Sequence, residues 1–454
     1  MTPAAPPTRL PTRPPLDLLL TGVTAITGDP MLGIIEDAAI GIRDGRIAHL
    51  APLSAGLPAA ERTLHRSGRL VTPGFVNAHL HAVLVMVRGV AADLGFAPSY
   101  TPGVPKGTDA TPEEARALAR LGVAEALLSG STLVCDHFVH AEATLEAVAE
   151  LGLRVHAGWR VHDVDFARVP QGEWRFDAGI GEDLLRRTLD LHDRWHGALD
   201  GRIAVQMAAH APDTCSPGFL RTLAAEASAR GMRVNTHLAQ SRVEVERVRA
   251  STGLSPAALL EETGMLNDRL LATHCLHVDD DDITRLAHAG AHAVHVPKCN
   301  AASGRLAPTP ALKAAGVNLA LCTDTQHGDM VETMRWALAI ARIGRGGVTA
   351  DWQPADVFRM ATLGGAEAVG MADRIGALTV GKCADLVVFD SRRPHLRPQI
   401  NPLGTLVHTG QGRDVEMVMV DGEILVEDGR LLRADLERIC IEADEAARAL
   451  WARA

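Results

Sequence analysis

Residues 202–237, RIAVQMAAHAPDTCSPGFLRTLAAEASARGMRVNTH, contain two short apolar runs with a longer segment between them. The runs 202–208 and 232–237 are short and include β-branched residues, which is typical of buried strands. The segment 216–230 begins with Ser and Pro and repeats apolar residues at helical spacing. The stretch therefore predicts a strand, a helix and a second strand, which is the repeating unit of a parallel α/β sheet.

The same alternation continues through most of the chain and predicts eight strands. Eight strand–helix units predict a TIM-type (β/α)8 barrel over about 71–380. A doubly wound open sheet would alternate in the same way, but no GxGxxG motif follows the first predicted strand. The predicted strands are 70–77, 131–136, 153–159, 202–208, 232–237, 269–275, 291–296 and 317–324.

Both ends of the barrel region have a different pattern, with short alternating runs broken by Gly, Asp and Pro. Residues 16–70 and 381–433 share this pattern, which predicts hairpins. We therefore expect one small β-sandwich domain built from both termini. Residues 1–15 are rich in Pro and Thr and predict a disordered tail, and 434–454 predict a C-terminal helix.

The composition restricts the class of partner. The 454 residues include 45 basic and 55 acidic side chains, a formal charge of −10, which argues against nucleic acid or an anionic membrane as a partner. Seven cysteines form no CxxC pair, and no apolar run approaches the roughly 18 residues that span a bilayer. We expect a soluble cytoplasmic protein that acts on a small molecule.

Histidine is unusually frequent, with 20 copies, and several lie at the ends of predicted strands. His79 and His81 are two residues apart on an extended chain, so both imidazoles can point to one face. His237 ends the fifth strand and Asp324 ends the eighth, at the same edge of the barrel. Each alone has an ordinary explanation, such as a helix cap for Asp324. Together they suit one divalent ion such as zinc, or iron(II).

Several motifs of the chain, spread over residues 16–435, are similar to those of a known family. The stretch PGFVNAHLH (73–81) is similar to the first metal motif of the amidohydrolase superfamily, in the branch of the cytosine, guanine and S-adenosylhomocysteine deaminases and the triazine hydrolases. Further matching motifs are HAP (210–212), THLA (236–239), HCLH (274–277), HVP (295–297) with Asn300, TD (323–324) and GALTVGKCADLVVFD (376–390).

The resemblance implies one divalent metal ion, zinc before iron, bound by His79, His81, His237 and Asp324. It implies that His274 orients or deprotonates the attacking water and that Asp324 takes the proton and later passes it to the leaving group. No lysine stands at the end of the fourth strand, where two-metal branches place one, which favours a single ion.

The resemblance also implies the reaction and the partners. We expect hydrolysis of a carbon–nitrogen bond other than a peptide bond, by deamination of a planar purine, pyrimidine, pterin or triazine heterocycle. His210 would contact the ring. Independently of the resemblance, Trp159 and Arg160 at the end of the third strand could stack on or clamp a planar, partly anionic substrate; the alternative is a core tryptophan and a solvated arginine. Family members tend to pair, so a homo-oligomer is expected.

One position departs from the deaminase pattern. Gln240 stands three residues after His237, where this branch commonly has a glutamate that protonates a ring nitrogen. An amide can hold a substrate by hydrogen bonds but cannot transfer a proton. Either another acid, such as Glu244 or His210, supplies the proton, or the substrate needs none, or the protein is catalytically silent. Glu244 itself is expected to lie on a solvated helix face.

Two other functions stay open at this point. The same scaffold could hydrolyse a cyclic amide or displace a non-amine leaving group such as chloride. From a different class, it could be a non-catalytic, metal-free barrel used for assembly. The complete set of candidate metal ligands argues against that last alternative.

Overall fold

The computed structural model describes residues 15–90, 93, 101, 103–325 and 327–453. The expected disordered tail lies outside the described residues, except for residue 15. The strands are β1 (Leu16–Ile26), β2 (Ile34–Arg43), β3 (Arg46–Pro52), β4 (Ala60–His65), β5 (Leu70–Pro73), β6 (Phe75–Leu80), β7 (Ser131–Phe138), β8 (Arg154–Val161), β9 (Ile203–Val205), β10 (Met207–Ala209), β11 (Val234–Leu238), β12 (Leu270–His274), β13 (His292–His295), β14 (Asn318–Leu321), β15 (Leu386–Phe389), β16 (Val415–Val420), β17 (Glu423–Glu427) and β18 (Arg430–Leu431).

Helices follow most of the barrel strands, and their first turns show why they begin where they do. At the helix Pro217–Ala229, for example, the Ser216 side chain accepts from the Phe219 amide and Pro217 occupies the first turn, as expected of a capped start. The main α-helices are α1 (Pro112–Leu128), α2 (Ala141–Leu151), α3 (Ala178–Trp195), α4 (Pro217–Ala229), α5 (Arg242–Thr252), α6 (Pro256–Glu262), α7 (Asp280–His288), α8 (Pro297–Ala302), α9 (Thr309–Ala314), α10 (Met330–Arg345), α11 (Pro354–Ala361), α12 (Leu363–Ala368), α13 (Pro402–Thr409) and α14 (Leu436–Trp451).

Strands β6 to β14 form a parallel barrel in the order β14-β13-β12-β11-β10-β8-β7-β6, with β9 also paired to β8. The fourth barrel strand is therefore split into β9 and β10. A parallel bridge between Leu80 and Asp324 joins the last strand position to the first. In this bridge the His81 amide donates to the Asp324 carbonyl and the Asp324 amide donates to the His79 carbonyl, each at 3.0 Å. The predicted barrel is confirmed, and its closure brings candidate site residues together.

The predicted first strand, 70–77, was wrong as a single element. Residues Leu70–Pro73 form β5, which pairs with β1 and β15 outside the barrel, and the barrel strand β6 begins only at Phe75. Gly74 separates the two strands where Thr132 is so close that a Cβ would lie 2.1 Å from its Oγ1. The chain therefore passes from one sheet to the other through a residue that must lack a side chain.

The second sheet contains nine strands from both ends of the chain, in the order β18-β17-β16-β15-β5-β1-β2-β3, with β4 paired to β1. The expected domain from both termini is confirmed, and hydrogen bonds join its strands into one continuous mixed sheet. Residues from both termini bury one shared apolar cluster, exemplified by Leu20, Ile40, Leu386 and Met417. No helix among the described residues is long and apolar enough to cross a membrane.

A buried ion network fastens the barrel to this sheet. Arg154, at the start of β8, is 1% exposed and donates to Asp385 at 2.8 Å and also to Asp421. Replacing Arg154 with Met should destabilise the protein by about 3–5 kcal/mol, because it leaves a buried carboxylate without its cation. Urea unfolding measures this loss. The control R186M removes an exposed ion pair and should cost less than about 1 kcal/mol; equal losses would contradict the assignment.

Candidate active site

The C-terminal ends of the barrel strands bring the predicted histidines together. The ring centroids of His79 and His237 lie 5.0 Å apart, and those of His79 and His81 lie 4.6 Å apart. One ligand atom from each of these three side chains lies within 4.8 Å of the other two. All three are buried, so this edge of the barrel holds a compact cluster of imidazoles.

The hydrogen bonds of two imidazoles determine which nitrogen carries the proton. His79 Nδ1 donates to Asn235 Oδ1 at 3.0 Å, and His237 Nδ1 donates to the His210 carbonyl at 2.8 Å. Each Nε2 therefore carries a free lone pair, because a neutral imidazole has only one N–H. His79 Nε2 lies 3.2 Å from His81 Nε2. Two nitrogen atoms this close can bind one cation between them, and the lone pair of His79 Nε2 is available to do so.

Asp324 completes the cluster from the other side of the barrel closure. Its Oδ1 lies 3.3 Å from His81 Nε2 and 4.0 Å from His79 Nε2, and the residue has a positive φ of 61°. Such backbone strain in a non-glycine residue is often found at functional sites. Burial raises the pKa of Asp324 to about 7, while the nearby Arg305 opposes the rise. A carboxyl of this kind can both bind a cation and exchange a proton.

Burial also keeps the imidazoles neutral. It lowers the pKa of His79, His81 and His237 well below the ordinary value, and neighbouring histidines lower it further. Since only a neutral imidazole can donate a lone pair, this donor set fits a divalent metal ion at neutral pH.

His274 lies beside the cluster rather than inside it. Its ring centroid is 5.3 Å from that of His237, and its backbone φ of 76° is again positive. His274 Nδ1 donates to Asn300 Oδ1 at 3.1 Å, which leaves Nε2 as a lone pair. Burial lowers the pKa of His274 to about 4. The neutral ring can therefore accept a hydrogen bond from a water molecule.

His210 and Arg160 extend the site along the wall formed by the third and fourth strands. The His210 ring lies 5.1 Å from His237, and its Nδ1 donates to Thr214 Oγ1 at 2.8 Å, because that hydroxyl donates in turn to Ala211. The Arg160 guanidinium lies 5.3 Å from the ring of Phe138 and 5.0 Å from the ring of Phe166. Both predicted substrate residues are thus at the site.

The structure does not bring Trp159 to this cluster. Its ring packs 6.1 Å from His140 and 5.3 Å from the Arg187 guanidinium on α3. Trp159 and Arg160 are neighbours on one strand, so their side chains point to opposite faces. The prediction that Trp159 stacks on a substrate is not supported by this placement.

Gln240 lies in the turn after β11, and its side chain is half-buried. Its backbone amide and that of Ala239 donate to the two oxygens of Glu244, at 2.8 and 2.7 Å. Glu244 is 1% exposed, so the expectation of a solvated face was wrong. Because its oxygens contact the two backbone amides, Glu244 is an anchor for the turn.

Two residues at the site, Asn235 and Arg305, were missed by the sequence reasoning, and Asn300 was noted only as part of a matching motif, without a role. Asn235 and Asn300 hold the imidazoles of His79 and His274, and Arg305 donates to the Gln240 carbonyl at 3.2 Å. Asn235 had a usable signal, since it precedes His237 by two residues on the same strand face. Arg305 lies after the seventh strand, in a segment whose path no pattern predicts.

The hydrogen bond from His79 to Asn235 gives a direct test of the cluster. Replacing Asn235 with Ala should lower metal affinity by roughly 10–100-fold, because the orienting partner of His79 is lost. Competition with a chelator, followed by elemental analysis, measures the change. Asn235→Asp keeps the acceptor oxygen and should lose much less; equal losses in both variants would contradict this role.

A closed parallel barrel with a buried histidine–carboxylate cluster at its C-terminal edge defines a barrel hydrolase, and comparison with known proteins gives the family. The sequence model of the amidohydrolase family matches residues 70–425 of this chain. A 5-methylthioadenosine/S-adenosylhomocysteine deaminase of Desulforudis audaxviator is 35% identical over 93% of this chain and 96% of its own. A 5'-deoxyadenosine deaminase of Methanosarcina acetivorans is 31% identical over 96% of this chain and 99% of its own.

Solved structures agree with this result. An adenosine deaminase from Xanthomonas campestris with bound zinc has a TM-score of 0.87 and 28% identity, covering 96% of this chain and 99% of its own. A zinc complex of an atrazine chlorohydrolase from Arthrobacter aurescens has a TM-score of 0.85 and 25% identity, covering 95% and 100%. The chain belongs to the amidohydrolase family. The predicted class, a hydrolase of carbon–nitrogen bonds that deaminates an N-heterocycle, is confirmed.

Proposed function

We propose that this enzyme removes the amino group of an adenosine-type purine by hydrolysis, using one divalent ion, zinc, held by His79, His81, His237 and Asp324. The observation that carries the proposal is the approach of His79 Nε2 to His81 Nε2 at 3.2 Å, with Asp324 Oδ1 3.3 Å from the latter. The unit that carries the activity is the barrel, within 71–380.

The side chains divide the reaction between them. A divalent ion bound here would supply a Lewis acid that makes water acidic enough to attack near neutral pH. Asp324 accepts the proton of the attacking water and returns it to the leaving amine. The Nε2 lone pair of His274 orients the same water, and the Asn300 contact holds the ring in place.

The substrate is held by groups that surround this centre. His210 presents its Nε2 lone pair as an acceptor for an N–H of the heterocycle, since its Nδ1 is committed to Thr214. Gln240 contacts the ring by hydrogen bonds, and Arg160 clamps the substrate. The adenosine-type substrate class is inferred from the names of the relatives that are 31–36% identical to this chain.

The decisive experiment combines elemental analysis with a substrate panel. We expect close to one zinc per chain and release of ammonia from adenosine, 5'-deoxyadenosine, 5-methylthioadenosine or S-adenosylhomocysteine. Cytosine, guanine, a pterin and a chlorotriazine complete the panel. Chloride release without ammonia release would identify the alternative reaction. Absence of metal together with absence of turnover would contradict the proposal.

The variant Gln240→Glu tests the departure from the deaminase pattern. If the amide only replaces an acid, Glu should keep or broaden deamination, because it adds a proton donor at the same position. Ammonia release across the panel is the measurement. Complete loss of activity with the metal still bound would contradict this interpretation of Gln240.

We also propose that the enzyme works in the cytoplasm as a homo-oligomer. All seven cysteines are free thiols, and only Cys440 is exposed, which fits a reducing compartment. Light scattering on the purified protein measures the assembly, and a monomer at micromolar concentration would contradict the oligomer.

A further inference from the structure

Arg305 joins the segment after the seventh strand to the turn that carries Gln240. Its Nη1 donates to the Gln240 carbonyl at 3.2 Å, and its Nε donates to Ser303 Oγ at 2.9 Å. Its backbone amide donates to the Asn300 carbonyl, and Asn300 in turn holds His274. The guanidinium is therefore fixed at the edge of the site on the same side as Gln240.

The charge of this guanidinium is not neutralised by an ion pair. Within the ranges that the structure describes, no carboxylate oxygen lies within 4.0 Å of Arg305. Asp324 is an acid that acts on it electrostatically. Ser303 and Gln240 engage Nε and Nη1, so Nη2 retains hydrogen-bond donors. A half-buried cation with donors to spare beside a catalytic carboxyl is well placed to act on bound substrate.

The proposed reaction needs a group that stabilises negative charge on the substrate. Attack on a ring carbon moves electrons onto the adjacent ring nitrogen, and Gln240 cannot protonate that nitrogen. Glu244 is 1% exposed, and its two oxygens lie against the backbone amides of Ala239 and Gln240, so its carboxyl faces the turn rather than the substrate. His210 presents an acceptor rather than a donor. The developing negative charge therefore requires a cation or a donor that stays protonated.

We propose that Arg305 is a specificity-determining catalytic residue that binds the ring-nitrogen edge of the heterocycle and stabilises the negative charge that forms there. The inference rests on the proposed function, since it names the group that compensates for Gln240. Arginine suits this role because its guanidinium stays protonated throughout.

The reaction balances without protonation of the ring. Water forms a bond to the ring carbon, its proton goes to Asp324, and the C=N π pair moves to the ring nitrogen opposite Arg305. Asp324 then protonates the amino group, the C–N bond breaks with its electron pair, and ammonia leaves. The pair on the ring nitrogen re-forms the C=N bond, and the hydroxy product tautomerises to the oxo form.

Steady-state kinetics test the catalytic part. Arg305→Gln should lower kcat about 100-fold with unchanged metal content and Tm, as expected for loss of a preorganised donor, and Arg305→Lys should recover part of it. In a Gln240→Glu background the same change should cost less than about 5-fold, because a proton donor replaces the cation. The control R221Q removes an exposed ion pair and should change nothing. Equal losses in both backgrounds, or an unchanged kcat, would overturn the proposal.

Calorimetry tests the recognition part without turnover. Urate, an anion at neutral pH, should bind wild type more tightly than neutral hypoxanthine, and R305Q should weaken urate about 10-fold or more while changing hypoxanthine less than about 3-fold. Equal weakening of both ligands would show a merely structural role and overturn the proposal. If wild type turns over nothing in the panel, the proposed function fails, and the urate measurement still decides the role of Arg305.

Discussion

Replacing Asp324 with Asn should lower kcat by roughly 1,000-fold or more while much of the metal stays bound. The amide oxygen can still act as a ligand, but it cannot accept the proton of the attacking water or return it to the leaving amine. Elemental analysis and steady-state kinetics on the same preparation separate the two roles of the side chain. The variant should fold normally, because the barrel closure at this residue uses its backbone amide and carbonyl.

The control for this prediction is Asp193→Asn. The Asp193 side chain is 71% exposed and pairs with His192, away from the site, so the same chemical change there should leave kcat and metal content as they are. If D324N retained kcat within about 10-fold of wild type with metal bound, Asp324 would not be the proton acceptor.

The alternation of predicted strands and helices was sufficient to predict the fold class but not the position of the first barrel strand. Alternating strand and helix patterns depend on residues close in the chain, so the eight strands were found within a few residues. The division of 70–77 into β5 and β6 depends on pairing with β1 and β15, which are far away in the sequence. A local pattern contains no information on which of two sheets a strand joins.

Some residues of the candidate site could likewise be predicted from the sequence, and others could not. Residues at strand ends, such as His79 and Asp324, could be predicted because parallel strands place their C-terminal ends at one edge. Glu244 could not, because its burial depends on how α5 sits beneath the turn at Ala239. Trp159 and Arg160 were predicted as a pair, although strand geometry allows only one of two neighbours to face the axis.

Removal of one imidazole from the cluster should have the second large effect. His237→Ala should abolish deamination and lower metal affinity by more than the 10–100-fold expected for an orienting partner such as Asn235. The physical reason is that the hydrogen bond from His237 Nδ1 to the His210 carbonyl fixes the direction of the Nε2 lone pair. A water molecule that replaced the imidazole would not be held in this orientation. Elemental analysis after chelator competition, with ammonia release, measures both effects.

The matched control is His408→Ala, an exposed imidazole on α13 that should leave both quantities unchanged. H237A and N235A also separate two explanations of activity loss. If the cluster binds the ion, activity in N235A should return with excess zinc, because the ligand atoms remain and only their orientation is weakened. Activity in H237A should not return under the same conditions, because a ligand atom is missing. Full recovery of H237A by zinc would show that His237 is not needed to hold the ion.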